Sequence, residues 1–94
     1  MIIVSGTIEL HPGRRADFLE ASTPAMVAAR KAAGCRAFVV AADPIEADLA
    51  NVYEAWESED DLLRFRGSGP DADMREMIVR ANVLRHEVSR SGPA

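Results

Sequence analysis

The sequence predicts a small α+β domain in which one four-stranded antiparallel sheet carries helices on one of its faces. Three observations support this prediction. Segments with apolar residues at alternate positions are interleaved with segments of helical spacing, in the order β-α-β-β-α-β. The chain has 94 residues, which is room for one hydrophobic core and not for two. Hydrophobic residues make up 48% of the chain and charged residues interrupt them throughout, as in an ordinary folded protein.

The first strand and the first helix are predicted from a change in apolar spacing. Ile2–Leu10 has its apolar residues mainly at even positions, which is the period of a strand. After a turn, Arg14–Ala33 is rich in alanine and has helical spacing, and Gly34 ends it in the left-handed conformation. Pro24 lies inside this helix and removes one backbone hydrogen bond, so a kink or a break is expected near Ala21.

The next two strands are predicted to form a hairpin. Arg36–Ala42 and Asn51–Glu57 are both rich in β-branched and aromatic residues, and an acidic connection joins them. Ser58, with Asp61 three residues later, resembles a capping box. A short helix is therefore expected to begin directly after the hairpin.

The last part of the domain is predicted as a helix followed by a strand. Gly67–Pro70 interrupts the short helix, and Asp71 is expected to cap a further one. The apolar stripe of that helix recurs at i, i+3, i+4 and i+7 and consists of Met74, Met77, Ile78 and Ala81. Val83–Arg90 is the last predicted strand. Residues 1–90 are then a single domain, and residues 91–94 are a flexible tail.

This order of elements is the ferredoxin-like split βαβ arrangement, whose sheet has helices on one face and leaves the other face uncovered. The first two strands nevertheless carry apolar residues at both parities. Ile3 lies among the even-numbered set of strand one, and Ala37 and Val39 alternate with Phe38 and Val40 in strand two. Both sheet faces are therefore expected to be buried, the second one by an identical subunit, as a homodimer.

Composition and charge exclude several classes of function. The formal charge of −4 opposes binding to nucleic acid and to anionic membrane surfaces. A chain that starts without a basic leader and lacks a long apolar run is expected in the cytoplasm. Cys35 is the only cysteine and is expected to be a small buried side chain, so neither an intrachain disulfide nor a thiolate-rich metal cluster is predicted. Histidine and carboxylate spacing gives no metal motif, and no glycine-rich phosphate loop is present for a nucleotide cofactor.

Four short segments carry a resemblance to a known family. Pro12-Gly13, Gly34-Cys35 after the alanine-rich helix, Asp43-Pro44, and the segment Glu54–Glu59 follow one another in the order and spacing of the antibiotic-biosynthesis-monooxygenase family. The chain resembles that family over roughly residues 1–90. The resemblance implies a dimeric α+β barrel and a small-molecule substrate. It also implies a family whose chemistries include cofactor-free oxygenation of electron-rich aromatic compounds, haem degradation and sugar isomerisation.

The chain departs from the family's usual motif after the tryptophan. The family places a histidine nine residues later and often another five beyond, where this chain has Phe65 and Pro70. Neither side chain accepts a proton or binds iron, so haem degradation is disfavoured. The resemblance then implies oxygenation of a small aromatic or enolic molecule without a cofactor, and the alternative is a non-catalytic dimer of the same fold that binds a small ligand.

The candidate site residues lie mainly on the third predicted strand. Glu54 and Trp56 share a face by strand parity, so we expect Glu54 to act as a proton acceptor and Trp56 to orient a flat substrate. His86 is the only other candidate base, and Asn51 is a weaker candidate for binding a substrate carbonyl. Phe65 and Met77 are expected to form apolar walls.

Each of these residues also has a structural interpretation. For Glu54 the favoured interpretation is structural, an ion pair with Arg64, Arg66 or an arginine of a partner subunit. Trp56 is suited to the core or to the dimer interface, and His86 to the protein surface or to that interface.

Overall fold

The computed structural model describes residues 1–67 and 71–94 and has the predicted order of elements. The elements are β1 (Ile2–Leu10), α1 (Arg15–Lys31), β2 (Cys35–Ala42), β3 (Leu49–Trp56), α2 (Glu59–Arg66), α3 (Ala72–Glu76) and β4 (Ile78–Glu87). The four strands form one sheet in the order β2-β3-β1-β4, and every adjacent pair is antiparallel. The prediction of a ferredoxin-like α+β fold with helices on one sheet face is confirmed. Gly67 is described, whereas the rest of the predicted interruption, including Pro70, lies outside the described residues.

The strand pairing fixes which side chains share a face. Val4 of β1 is opposite Glu54 of β3, and Glu54 is in turn opposite Phe38 of β2. Since directly paired residues point to the same side of a sheet, these three side chains lie on one face. We call it the inner face, because it packs against the helices. Ile3 and Tyr53 lie on the opposite side, the outer face.

The predicted break in α1 is wrong, because Arg15–Lys31 is one continuous helix with Pro24 inside it. Pro24 lies on the exposed side of the helix, where water can bind the backbone oxygen that the proline leaves without a donor. The two residues before it turn their hydroxyls back to the preceding turn: Ser22 Oγ donates to the Phe18 carbonyl at 2.8 Å, and Thr23 Oγ1 to the Leu19 carbonyl at 3.0 Å.

The predicted boundary between the last helix and the last strand is also wrong. α3 ends at Glu76, and β4 covers Ile78–Glu87 instead of Val83–Arg90. The helical stripe through Ile78 and Ala81 is therefore a coincidence of spacing. These residues pair with β1 from Glu87 opposite Ile2 to Ile78 opposite Leu10, with a register shift between Glu9 and Leu10. This long-range pairing outweighs the local helical pattern.

The core consists of two clusters on the inner face. One contains Ile2, Val4, Ala29, Trp56 and Leu62, and the other contains Leu10, Phe18, Ala50 and Met77. The two clusters lie toward opposite ends of β1, whose Ile2 and Leu10 belong to different ones. The space between them is where a ligand site can form.

Gly6 lies at a close approach of β1 and β4. Its φ of 152° lies in a region that residues with a side chain rarely adopt. A Cβ at this position would collide with the backbone oxygen of Asn82 and would lie 2.7 Å from the Cα of Val83. Glycine is therefore required for β4 to pair with β1 here.

A row of directly paired residues crosses all four strands on the outer face, and three of its four side chains are exposed and apolar. Its members are Val39, Tyr53, Ser5 and Leu84, which are successive partners across the sheet. Tyr53 is 46% exposed and Leu84 is 59% exposed. We call Val39, Tyr53 and Leu84 the outer apolar patch.

None of the helices in the described part of the chain is long and apolar enough to cross a membrane.

Candidate functional site

A cavity of about 390 Å³ lies between the two core clusters, on the inner face of the sheet. Its volume lies within the range of small-molecule sites. The side chains around it come from both clusters, from the sheet and from all three helices. Most are apolar: Ile8, Phe18, Ala25, Phe38, Val40, Val52, Phe65, Met74, Ile78 and Val83. Within residues 1–67 and 71–94, only Ser22, Glu54 and Arg66 supply polar groups to the wall, so a ligand here would meet an apolar wall with a few oriented polar contacts.

Glu54 is the only carboxylate that the described part of the chain places at the wall of this cavity, and it is 7% exposed. Its Oε1 accepts a hydrogen bond of 3.0 Å from Nε1 of Trp56, two residues later on the same strand face. The same oxygen lies 3.8 Å from Nη2 of Arg66 at the end of α2. Of the three arginine partners considered from sequence, Arg66 is the one that pairs with Glu54 within this chain, while Arg64 pairs with Asp61 at 2.9 Å.

Burial raises the pKa of Glu54 above its ordinary value, while the hydrogen bond from Trp56 and the charge of Arg66 act in the opposite direction. The loss of hydration disfavours the charged form more than these two partners favour it. Glu54 therefore exchanges its proton closer to neutral pH than an exposed glutamate does. This is a property of carboxyl groups that act as general bases.

We expect Glu54→Gln to change how stability depends on pH. The folded protein holds the Glu54 proton more tightly than the unfolded chain, whose glutamates titrate near pH 4.3. Between about that pH and the higher pKa of the folded state, the parent therefore loses stability as the pH rises. The variant lacks this loss, so the difference in unfolding free energy, variant minus parent, should increase from acid to neutral pH in urea titrations.

Glu57→Gln is the matched control, because Glu57 follows β3 directly and its side chain is 59% exposed. A Glu54→Gln difference that stays constant from acid to neutral pH would contradict the raised pKa.

Trp56 lies behind Glu54 and does not line the cavity. It is fully buried, and its indole N–H is already donated to Glu54. Phe65 lies between it and the cavity, with ring centroids 5.4 Å apart, and Phe38 meets Phe65 edge-on at 5.8 Å. Phe65 and Phe38 thus line the cavity where Trp56 was expected to do so, and the indole N–H of Trp56 orients the Glu54 carboxyl group instead.

The structure does not bring His86 or Asn51 to the cavity. His86 is opposite Ile3 and Asn51 is opposite Thr7, so both are on the outer face. The side-chain amide of Asn51 donates to Asp43 Oδ1 at 2.9 Å. The backbone amide of Glu46 lowers the pKa of Asp43 most, and the bond from Asn51 and the backbone amide of Ile45 lower it further. Asn51 therefore orders the connection between β2 and β3.

Met77 belongs to the second core cluster, and Met74, one helical turn earlier, lines the cavity in its place. Two polar groups at the cavity wall were missed in the prediction from sequence. Ser22 was not a candidate, and Arg66 was expected only as an ion-pair partner of Glu54 and not as a residue that lines the cavity. The alternation of side chains along a strand predicts which residues of that strand share a face. It does not predict which side chains of α1 and α2 pack over that face.

Among residues 1–67 and 71–94, no three His, Cys, Asp or Glu side chains are grouped so that they could hold a metal ion.

Comparison with known proteins agrees with this architecture. The family model described as antibiotic biosynthesis monooxygenase matches residues 1–77. A proposed antibiotic biosynthesis monooxygenase from Deinococcus radiodurans has a TM-score of 0.85 at 14% identity, over 100% of this chain and 98% of that one. A counterpart from Nitrosomonas europaea has a TM-score of 0.82 at 12% identity, over 96% of this chain and 100% of that one. One from Chloroflexus aurantiacus has a TM-score of 0.74 at 22% identity, over 97% of this chain and 96% of that one. At these identities the structures show a shared fold. None of the curated proteins matches the chain.

Proposed function

The chain belongs to the antibiotic biosynthesis monooxygenase family, and from this we propose that it is a cofactor-independent monooxygenase of a small aromatic or enolic molecule. The observation that carries the proposal is Glu54, a buried carboxyl group with a raised pKa at the wall of an otherwise apolar cavity. Such a group can accept a proton from a phenol or enol that the apolar walls hold in place.

In the proposed reaction the substrate supplies the electrons. Glu54 removes a proton from the substrate, and the resulting electron-rich anion reacts with dioxygen. For a ring methylene, R₂CH₂ and O₂ give R₂C=O and water, so one oxygen atom enters the product and no external reductant is consumed. The contribution of the protein is to orient the ring, to exclude water and to move the proton.

Oxygen uptake with a panel of anthrone-like phenols tests this proposal. We expect uptake of one dioxygen per quinone formed. Trp56→Phe keeps an aromatic ring but removes the N–H that holds Glu54, so it should slow uptake by about 10- to 100-fold, the value of a hydrogen bond to a charged group. Uptake unchanged by this substitution would contradict the positioning role of Trp56.

The second candidate is a dimer that binds a small ligand without catalysis. It is favoured by Phe65, an apolar wall residue at a position where the family usually has a histidine. Binding of the panel compounds, followed by the fluorescence of Trp56, with no oxygen uptake from any of them would support this candidate over the monooxygenase.

We also propose that two chains associate through their outer faces. The outer apolar patch exposes Val39, Tyr53 and Leu84 together, and an identical patch is a complementary cover in a two-fold pair. Light scattering at micromolar concentration should give twice the 10.2 kDa of one chain. Leu84→Glu should shift this mass toward the monomer, because it would bury two carboxylates at the interface.

Val27→Glu is the control for this substitution, since Val27 is 50% exposed on α1, away from the outer face. A parent protein with the mass of one chain would overturn the association.

A further inference from the structure

We propose that Arg66 makes the cavity selective for weakly acidic phenols and enols, which bind as anions against its guanidinium while Glu54 takes up their proton. This rests on the proposed function, because it names the chemical class that the cavity accepts and how it is held.

Arg66 is engaged more loosely than its neighbour on the same helix. Arg64 Nη1 lies 2.9 Å from Asp61 Oδ1 and donates a hydrogen bond to it. Arg66 Nη2 lies 3.8 Å from Glu54 Oε1, which is too far for a hydrogen bond, and its side chain is 43% exposed. The donors of Arg66 are therefore not hydrogen-bonded to Glu54, and a guanidinium fork is well suited to an oxygen anion.

The charges at the wall decide which ligands fit. An ionised Glu54 and Arg66 together are neutral, and among the described residues they are the only charged side chains that line the cavity. An anion that entered beside an ionised Glu54 would leave one uncompensated negative charge in an apolar environment, which is costly. If Glu54 is protonated instead, the anion neutralises Arg66 and the total charge stays at zero.

A weak acid brings the proton for this exchange. The O–H bond of the ligand breaks, an O–H bond forms on Glu54, and the ligand oxygen replaces the carboxylate as the counter-ion of Arg66. Trp56 continues to donate to Oε1 in either state of Glu54, because that oxygen keeps a lone pair. A ligand without an acidic proton gains nothing from this exchange.

The other groups around Glu54 leave this exchange to Arg66. From α1 and α3 the cavity receives uncharged side chains only. The sheet contributes Val4 on β1 and Phe38 and the thiol of Cys35 on β2. On β4, Arg85 lies opposite Val4, but it pairs with Glu59 at 2.9 Å. Burial raises the pKa of Cys35, and the negative charge of Glu54 raises it further, so the thiol is no competing cation or anion.

Absorbance titration with 4-nitrophenol tests the exchange, because its phenolate absorbs at longer wavelength than its phenol. We expect the bound probe to be phenolate in the parent. The bound phenolate-to-phenol ratio should fall about 10- to 1,000-fold in Arg66→Met, the usual effect of removing an opposite charge at this range. Arg66→Lys should recover part of the ratio. Arg64→Met is the control, since Arg64 lies on the same helix but does not line the cavity.

Proton uptake separates the exchange from simple attraction to Arg66. In calorimetry at a pH where the free probe is phenolate, the parent should take up about one proton per probe bound, as the linkage requires. Glu54→Gln keeps Arg66 and should bind phenolate with no proton uptake. The ether 4-nitroanisole has no acidic proton, so its affinity should be the same for the parent and for Arg66→Met.

Four results would overturn the inference: a bound probe that is phenol in the parent, an unchanged ratio in Arg66→Met, proton uptake that persists in Glu54→Gln, or no binding of the probe. Oxygen uptake is read separately, since the probe need not be oxidised. If the phenols are oxygenated but the bound 4-nitrophenol stays protonated, this inference is wrong and the proposed function stands. If the bound probe is phenolate but no phenol in the panel consumes oxygen, the proposed function is wrong and the selectivity for acidic phenols stands.

Discussion

Glu54→Gln is expected to lower the rate of oxygen uptake at saturating substrate by about 10²- to 10⁴-fold, the range for loss of a general base. Glutamine has nearly the shape of glutamate, and its amide oxygen can still accept the Trp56 N–H that Glu54 Oε1 accepts at 3.0 Å. The variant therefore keeps the cavity but cannot receive the substrate proton. The effect should fall on kcat more than on KM, because a substrate that is a phenol in solution still enters the cavity of the variant but stays protonated there.

Glu57→Gln is again the matched control for this measurement. It removes an exposed carboxylate three residues later in the chain and should leave the rate unchanged. If Glu54→Gln retains more than about a tenth of the parent rate, the loss falls short of a general-base contribution and Glu54 is not the proton acceptor.

Gly6→Ala is expected to have the largest effect on stability, a loss of about 3 kcal/mol or more. The unfavourable φ contributes about 1–3 kcal/mol, and forcing a methyl group against the backbone of β4 contributes about 1–3 kcal/mol. The collision with Asn82 cannot be relieved by a side-chain rotation, since the atom concerned is a backbone oxygen. For a domain of this size, thermal unfolding should shift down by about 12 °C or more.

Gly92→Ala provides the comparison, because no atom lies within 4 Å of a Cβ added there. It should leave the unfolding temperature unchanged. A Gly6→Ala protein that unfolds within about 2 °C of the parent would show that β1 and β4 do not approach as closely as described, given the usual shift per kcal/mol.

The parts of the fold that depend on local patterns were predictable from the sequence. The alternation in Ile2–Leu10 identified β1, and Ser58 does cap α2 by accepting the Asp61 backbone N–H at 3.1 Å. Strand parity placed Glu54 and Trp56 on one face, and the hydrogen bond between them agrees with it. Each of these inferences spans only a few residues, where sequence spacing and geometry are tightly linked.

The parts that depend on long-range pairing were not predictable. The spacing of Met74, Met77 and Ile78 fits a helix. Ile78 is instead the first residue of a strand because it pairs with Leu10 of β1. The face of His86 follows from its register with Ile3, which a pattern within β4 cannot give. The approach of Arg66 to Glu54 likewise depends on how α2 packs against the sheet.

The sheet order β2-β3-β1-β4 also bears on how such a protein can diversify. Glu54 lies on an interior strand, with Phe38 and Val4 paired on either side, so its backbone is fixed by neighbours in both directions. Phe18, Phe65 and Met74, which shape the cavity, come from helices that lie over that sheet. Substitutions in the helices can therefore remodel the cavity while the Glu54 carboxyl group keeps its place. Part of the cavity shape and the position of the proposed proton acceptor are thus set by different segments of the chain, so selection can change the first while largely preserving the second.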